Sequence, residues 1–319
     1  MPTRMARREF LAGMAAVTAV TAASRFAAGE TSSPFRVSVI NDEISQDFGR
    51  ACEVAAKDFG LGWIELRSMW NKNIVSLDER DTMETLRILK TYQLKVTDIA
   101  SPLFKADWPH APKSKHSEAN SFGANFALSQ QDEVLERAME MAKVFGTNRI
   151  RCFDFWRLDD QAPFRDAIND KLRDAAEKVE KRGMILVLEN EPACNTATGA
   201  EAAKVLDAVK SRSFMLNWDP GNAAYVGETA YPDGYNLLPK DRIGHCHCKD
   251  VVRKGKRSEW APMGKGIIDW AGQFKALKRD GYHFAVSLET HWAGGGSPEE
   301  SSKDSFAGMK KLLQDAGAL

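Results

Sequence analysis

Five cysteines are too few and too irregularly placed to staple a fold. Cys52, Cys152, Cys194, Cys246 and Cys248 are odd in number and lack zinc-finger spacing, which argues against a disulfide framework. Neither sign of charge is in excess: the 319-residue chain carries 44 Lys and Arg against 44 Asp and Glu. That balance removes the usual reason to expect nucleic acid or an acidic macromolecule as partner. No Gly-x-Gly-x-x-Gly run follows the first predicted strand, where Asn41-Asp42-Glu43 stands instead, so a dinucleotide-binding sheet lacks its signature. At 43% hydrophobic and 28% charged, the chain has ordinary globular composition, neither disordered, collagen-like nor coiled-coil.

What is present begins at the N-terminus. Arg4, Arg7 and Arg8 precede an apolar stretch from Phe10 to Ala23, followed by small residues. This is the layout of an export signal, and the apolar part is too short to serve as a stable membrane anchor. Arg7-Arg8-Glu9-Phe10-Leu11 matches the twin-arginine signal, which the twin-arginine translocation machinery reads. The expected division is a signal peptide over 1–28, a short linker over 29–34 and one domain over 35–319. The mature chain then carries 40 basic and 43 acidic residues. It is expected to be periplasmic or otherwise exported. The twin-arginine route carries folded proteins, often with a cofactor already aboard, so a metal site is worth seeking.

From Phe35 onward, short apolar β-branched runs alternate with helical patterns. The predicted strands are Arg36–Asn41, Trp63–Arg67, Leu94–Ile99, Arg149–Asp154, Met184–Asn190, Phe214–Asp219, Arg242–Lys249 and Phe284–Glu289. The predicted helices are Phe48–Phe59, Leu77–Tyr92, Gln131–Phe145, Phe164–Lys181, Ala200–Val209, Ile268–Arg279 and Ser301–Leu313, with 223–240 the weakest interval. Gly60, Gly146, Gly183 and Gly281 stand where helices should stop. Eight such units over about 285 residues is the arithmetic of a single-domain (β/α)8 TIM barrel. The stretch Ser101–Ser129 is long for a connection and reads as a lid or a surface excursion.

A barrel's chemistry sits at the C-terminal ends of its strands. Those ends read Asn41-Asp42-Glu43, Glu65-Leu66-Arg67, Asp98, Asp154, Glu189-Asn190-Glu191, Asp219, His245-Cys246-His247 and Glu289-Thr290-His291. So many carboxylates at one mouth repel one another, and a divalent cation is the economical neutraliser. Strand alternation puts Glu189 and Glu191 on one face of strand five. In strand seven it puts His245 and His247 together, with Cys246 and Cys248 opposite. Three carboxylates and an imidazole suit one divalent ion, Mn2+ first, with Mg2+, Co2+, Fe2+ or Zn2+ also compatible.

Val187-Leu188-Glu189-Asn190-Glu191-Pro192, Asn217-Trp218-Asp219-Pro220-Gly221-Asn222, His245-Cys246-His247-Cys248-Lys249-Asp250, Gly264-Lys265-Gly266-Ile267-Ile268-Asp269-Trp270 and Ser287-Leu288-Glu289 resemble the xylose isomerase-like barrel superfamily, in particular its sugar phosphate isomerase/epimerase branch. The resemblance runs from about residue 35 to the C-terminus. It implies Glu189, Asp219, His247 and Glu289 as metal ligands, with Glu189 and Glu289 doubling as the acid/base pair. It further implies a substrate contact at Arg253, six positions after the ligand histidine. Two positions depart from the ketose epimerase pattern: Asn222 replaces a histidine and Asn195 replaces a carboxylate. The related apurinic endonuclease branch needs a histidine-rich three-zinc cluster, and this chain has six histidines in all.

The implied reaction is proton abstraction next to a carbonyl of a sugar, through a metal-stabilised enediolate. A glutamate on each face gives epimerisation; a β leaving group gives elimination, and the reverse gives hydration. His245, Glu191, Asn222 and Glu65 are the candidate polar substrate contacts. Trp260 is the candidate stacking residue, with Trp156, Trp292, Phe104 and Trp108 as further aromatics near strand ends. Lys254, Lys256 and Arg257 fall where barrels often bind phosphate, but an exported enzyme suits a free sugar or keto-sugar better. A keto-sugar (3-keto-glycoside) lyase or hydratase and a non-catalytic exported sugar-binding protein are the competing readings. A homo-oligomer stays open.

Overall fold

A computed structural model describes residues 33–117 and 125–319 of the chain. The expected export signal and residues 29–32 of the linker lie outside the described residues. Eight parallel strands are built where apolar β-branched runs are shortest: β1 (Arg36–Val39), β2 (Trp63–Leu66), β3 (Lys95–Leu103), β4 (Arg149–Cys152), β5 (Ile185–Glu189), β6 (Phe214–Trp218), β7 (Ile243–Cys248) and β8 (Ala285–Leu288). They pair in the order β1-β8-β7-β6-β5-β4-β3-β2. A parallel bridge between Ile40 and Glu65 brings β1 beside β2 and nearly closes the sheet into a TIM barrel.

A helix follows each strand: α1 (Phe48–Glu53), α2 (Glu79–Thr91), α3 (Gln131–Phe145), α4 (Arg165–Glu180), α5 (Gly199–Ala208), α6 (Pro220–Tyr225), α7 (Trp270–Arg279) and α8 (Pro298–Asp315). Local chemistry sets their ends. Asp78 and Asp81 form a capping box at α2, and Thr198 and Glu201 form another at α5. Ser297 caps α8 with Pro298 at its first position, so this helix starts three residues earlier than periodicity suggests. Each helix turns an apolar stripe to the sheet. In α7 that stripe is Trp270, Phe274 and Leu277, each with no exposed surface, and burying each large side chain contributes about 1.5–3 kcal/mol.

The weak interval 223–240 is broken in the structure: α6 ends at Tyr225, a π-turn spans Ala230–Gly234 and a single helical turn spans Tyr235–Leu237. β3 runs four residues past its expected end, to Leu103. Beyond it, Phe104 stacks on Phe155 (centroids 5.0 Å) and Trp108 meets the same ring edge-on (4.7 Å), so both are packing residues. Residues 118–124 of the expected lid lie outside the described ones. An antiparallel hairpin, Asp250–Lys254 with Arg257–Ala261, follows β7. Lys254, Lys256 and Arg257 sit exposed at its tip, and Lys254 pairs with Glu259 (2.6 Å).

The barrel interior is polar where bulky aliphatics are usual. Arg149 of β4 reaches across to the Gly244 carbonyl of β7 (2.8 Å). Glu65 of β2 crosses to His245 and His247 of β7. This polar filling continues upward into the mouth.

Candidate metal centre

Four neighbouring strands each deliver one donor to the same point. Glu189 closes β5, Asp219 directly follows β6, His247 is the inward residue near the end of β7, and Glu289 directly follows β8. One donor atom from each lies within 4.8 Å of the others. His247 Nδ1 stands 3.2 Å from Glu289 Oε2, 3.4 Å from Glu189 Oε1 and 3.8 Å from Asp219 Oδ2. All four residues are buried.

The Asp-Pro-Gly-Asn turn explains how Asp219 is aimed. Its Oδ1 caps α6 by accepting the Asn222 N–H (2.8 Å), which leaves Oδ2 for the cluster. Pro220 suits the first helical position. Gly221 is required because a Cβ there would collide with the Lys249 side chain. Asn190 grips the Asp219 backbone from both sides, through N–H and carbonyl (both 2.8 Å). Asn222 Nδ2 donates to Glu189 Oε1 (3.2 Å), tying two of the four residues together. The glycine motif after the hairpin proves structural: Asp250 Oδ2 accepts the N–H groups of Gly264 and Gly266 (both 3.0 Å).

Three fixed cations enter this mouth. Arg151 donates to Glu189 Oε2 (3.0 Å), and Arg67 donates to Glu289 Oε1 (2.6 Å) and also pairs with Asp42 and Glu43. Lys249, with no exposed surface, places Nζ 2.5 Å from Glu289 Oε2 and 2.8 Å from Asp219 Oδ2. Asp42, Glu43, Glu65, Asp98, Glu189, Asp219 and Glu289 all have buried carboxylates, so the seven acids outnumber these cations and a protonated His247 by three. The Lys249–Asp219 contact lacks hydrogen-bond alignment, and Asp219 Oδ2 is left without a hydrogen bond although fully buried. A surplus of buried negative charge, an unsatisfied carboxylate oxygen and an oxygen-rich donor set with one imidazole fit a hard or borderline divalent cation.

Burial alone would raise the Glu189 carboxyl, but the His247 and Arg151 charges overcome it and hold its pKa down at about 2. Burial is likewise outweighed at Glu289, where Lys249, His291 and His247 keep the carboxyl well below the usual range. Asp219 goes the other way: burial pushes it up to about 6, with Glu189 and Glu289 adding to the push and Lys249 opposing it. Burial also pushes Asp98 up to about 6; both of its oxygens lie inside the barrel without hydrogen bonds. Burial would lower His247, but Glu65, Glu189 and Glu289 raise it well above 6.5.

These shifts fix a pH dependence. Between pH 3.8 and about 6 the folded protein keeps protons on Asp98 and Asp219 that the unfolded chain has released, so stability falls as pH rises through that window. The raised His247 acts in the same direction, its contribution being lost above 6.5. Glu65, Glu189 and Glu289 act lower, losing their contribution as pH falls below 4.5. Metal-free protein is therefore expected to melt at a higher temperature at pH 5 than at pH 7. Saturating Mn2+ is expected to reverse the order, because an ion held by these four residues would need Asp219 ionised and the His247 Nδ1 proton gone. Calorimetry in EDTA and in Mn2+ checks both halves.

Two candidate substrate contacts lie buried behind the cluster. His245 and Glu65 have no exposed surface; Glu65 accepts from His245 Nε2 (2.9 Å) and from His247 Nε2 (3.0 Å). The carboxylate holds the Nε2 proton of His247, which turns Nδ1 toward the other three donors. Glu65→Gln is expected to lower Mn2+ affinity by roughly 10–100-fold, measured by equilibrium titration. An affinity equal to the unaltered protein's would mean that Glu65 does not orient the ring.

Asn222 is buried and bonded to Asp219 and Glu189 rather than exposed to substrate. Arg253 lies on the hairpin, exposed, with its guanidinium on the Ala224 carbonyl (2.8 Å) and Ser258 Oγ (2.5 Å). Asn195, in the loop after β5, is tied to the loop after β4 by donating to the Asp154 carbonyl (2.8 Å). Glu191 lines the mouth, 3.7 Å from Lys105 Nζ, and Trp260 lies against Tyr225 and His291. Trp156 is packed with Phe153 and Cys194. The sequence reading missed Arg67, Arg151, Lys249 and His291. Arg67, Lys249 and His291 stand inside the quoted strand-end and His-Cys-Lys-Asp segments, and their charge was the available signal.

A nearly closed parallel barrel with a buried carboxylate–imidazole cluster at its C-terminal mouth defines the class. Within it, residues 54–312 match the family described as xylose isomerase-like TIM barrel, and the chain belongs to that family. Among solved structures it is similar to the probable 3-DHS dehydratase AsbF from Bacillus anthracis, at 20% identity over 87% of this chain and 98% of that one, TM-score 0.65. It is similar to D-allulose 3-epimerase from Methylomonas sp., solved in complex with D-allulose, at 16% identity over 89% and 98%, TM-score 0.66. It also resembles the IOLI protein solved with a bound zinc atom, at 15% identity over 88% and 98%, TM-score 0.66. At such identities these likenesses speak to the shared fold.

Proposed function

We propose that the chain is a divalent-metal-dependent sugar isomerase or epimerase, acting on a free sugar or keto-sugar by moving a proton at the carbon beside a carbonyl. The observation that carries this reading is the convergence of Glu189, Asp219, His247 and Glu289 on one point, with a carboxylate oxygen of each glutamate within 3.4 Å of His247 Nδ1. A divalent ion bound there supplies Lewis acidity, polarising the carbonyl and offsetting charge that develops on its oxygen. Mn2+ is the expected ion. Glu189 and Glu289 are the bases; Arg151 and Arg67 fix their orientation and keep them ionised. For epimerisation one glutamate takes the proton and the other returns one to the opposite face.

One observation favours the second reading, a keto-sugar lyase or hydratase on the same site. Apart from the His247 Nδ1 contact, the hydrogen-bonding partners described for the two carboxylates are donors: Arg151 and Asn222 on Glu189, Arg67 and Lys249 on Glu289. These donors hold both glutamates ionised, and elimination needs only one base. The likeness to a dehydratase as well as to an epimerase is consistent with either course. Export by the twin-arginine route to the periplasm belongs to the same proposal, and it favours an unphosphorylated substrate.

The test is incubation of metal-loaded protein with free sugars, sugar phosphates and keto-sugars in D2O. Deuterium is expected at a carbon beside the carbonyl. Product mass separates the courses: an epimer keeps its mass, hydration adds water, elimination splits off a group. No exchange with any of these compounds at full metal occupancy overturns the reading.

A further inference from the structure

We propose that Lys105 and Glu191 form a clamp that binds one sugar hydroxyl and sets the preference for an unphosphorylated substrate. This rests on the proton-transfer reading above and narrows its substrate class. Both residues line the cavity over the cluster, alongside Arg67, Arg151 and the two bases. Arg67 and Arg151 are taken up by Glu289 and Glu189 (2.6 and 3.0 Å). Lys105 is the remaining lining cation, and its side chain makes no hydrogen bond among the described residues. Its one described ion pair is with Glu191, Nζ standing 3.7 Å from Oε2. That gap is too long for a hydrogen bond, although both side chains are largely buried, 14% and 18% exposed. A hydroxyl fits between them, since it accepts from the ammonium and donates to the carboxylate at once. A phosphate instead brings negative charge against Glu191, which repels it.

The backbone plants both groups firmly. Phe104, just before Lys105, is held at φ +64° with its N–H on Gln131 Oε1 (2.6 Å). Left-handed backbone at a non-glycine residue concentrates at ligand clamps and active sites. The Phe155 and Trp156 N–H groups donate to the Phe104 and Ala106 carbonyls (3.0 and 2.9 Å), which fixes the chain on both sides of Lys105. The ammonium lies over Phe153 and Trp156, 4.5 and 5.5 Å from the ring centroids. That attraction draws it toward the rings rather than onto Glu191. Glu191 is anchored by its N–H on the Thr196 carbonyl (2.8 Å), and its Oε1 accepts the Ala193 N–H (3.3 Å), which leaves Oε2 toward Lys105. A closed ammonium–carboxylate pair sits at about 2.7–2.9 Å; this one stays open in the cavity that holds both bases.

The test uses D-fructose and methyl 3-keto-β-D-glucopyranoside, each beside its 6-phosphate, with Mn2+-loaded protein. Calorimetry reads binding, and deuterium exchange in D2O reads kcat and KM. At least one free compound is expected to bind about tenfold tighter than its phosphate, or more. Lys105→Met keeps the stem against its aromatic rings and is expected to weaken that compound about tenfold, raising KM with a far smaller change in kcat. Glu191→Gln keeps a hydroxyl contact and removes the repulsion, so the phosphate is expected to come within about threefold of the free compound. Equal binding of free and phosphorylated compounds, no binding of either free compound, or variants that bind them all as the unaltered protein does, overturn the clamp. A Lys105→Met that lowers the melting temperature without changing selectivity also overturns it, leaving a structural ion pair. Lys105-dependent binding without deuterium exchange supports the clamp and overturns the proton-transfer reading. Exchange that ignores both substitutions does the reverse, so the two failures are distinguishable.

Discussion

Glu289→Gln is expected to reduce deuterium exchange and turnover by about a thousand-fold or more at saturating Mn2+, within the range measured for removal of a general base. The substitution keeps shape and hydrogen-bonding capacity but deletes both the basic oxygen and one anionic donor to the ion. The fold is expected to survive it. Arg67 retains Asp42 and Glu43, and Lys249 retains Asp219, so no buried cation is stranded. Metal affinity falls as well, so the measurement is made across a Mn2+ titration and extrapolated to saturation, which separates lost ligation from lost base. Exchange within tenfold of the unaltered protein at saturation would remove Glu289 from the proton-transfer role and leave it a ligand only.

The barrel was legible because its strands and helices obey local rules. Gln131–Phe145 was bounded to the residue, with Gly146 ending the helix in the left-handed conformation (φ +73°). The four converging residues were legible because strand ends are where a barrel presents side chains, and alternation tells which face each takes. What alternation does not tell is depth. Glu65 and His245 share the inward face with His247, yet they lie behind it, which depends on strand stagger and on which strands face across the barrel. Nor does it tell who pairs with whom. Arg67 and Glu289 are 222 residues apart in the chain and 2.6 Å apart in space. The expectation that a divalent cation offsets the acids overlooked Arg67, Arg151 and Lys249, which already offset part of that charge. The hairpin Asp250–Ala261 was missed because its alternation is buried-and-exposed only weakly: Lys254, Arg257 and Glu259 read as a solvated loop.

Lys249→Met carries the second large effect, and it addresses how the protein's own cation and a metal ion share one site. The ammonium stands 2.5 Å from Glu289 Oε2 and 2.8 Å from Asp219 Oδ2, the same two oxygens that face His247 Nδ1. Methionine fills a similar volume without charge, so packing is largely kept while two buried carboxylates lose their counter-charge. Removing one partner of a buried ion pair costs about 3–5 kcal/mol. In metal-free protein that is a melting-temperature loss on the order of 10 °C. Mn2+ is expected to restore most of it, and to raise the variant's melting temperature by more than it raises the unaltered protein's, because the ion no longer competes with an ammonium for those oxygens. The comparison is four melting curves, each protein in EDTA and in saturating Mn2+. If Mn2+ stabilises both proteins equally, Lys249 and the ion occupy different places, and the donor set must exclude either Asp219 Oδ2 or Glu289 Oε2. If the variant loses no stability in EDTA, the ammonium was never the counter-charge, and the surplus of acids at this mouth is larger than the structure indicates.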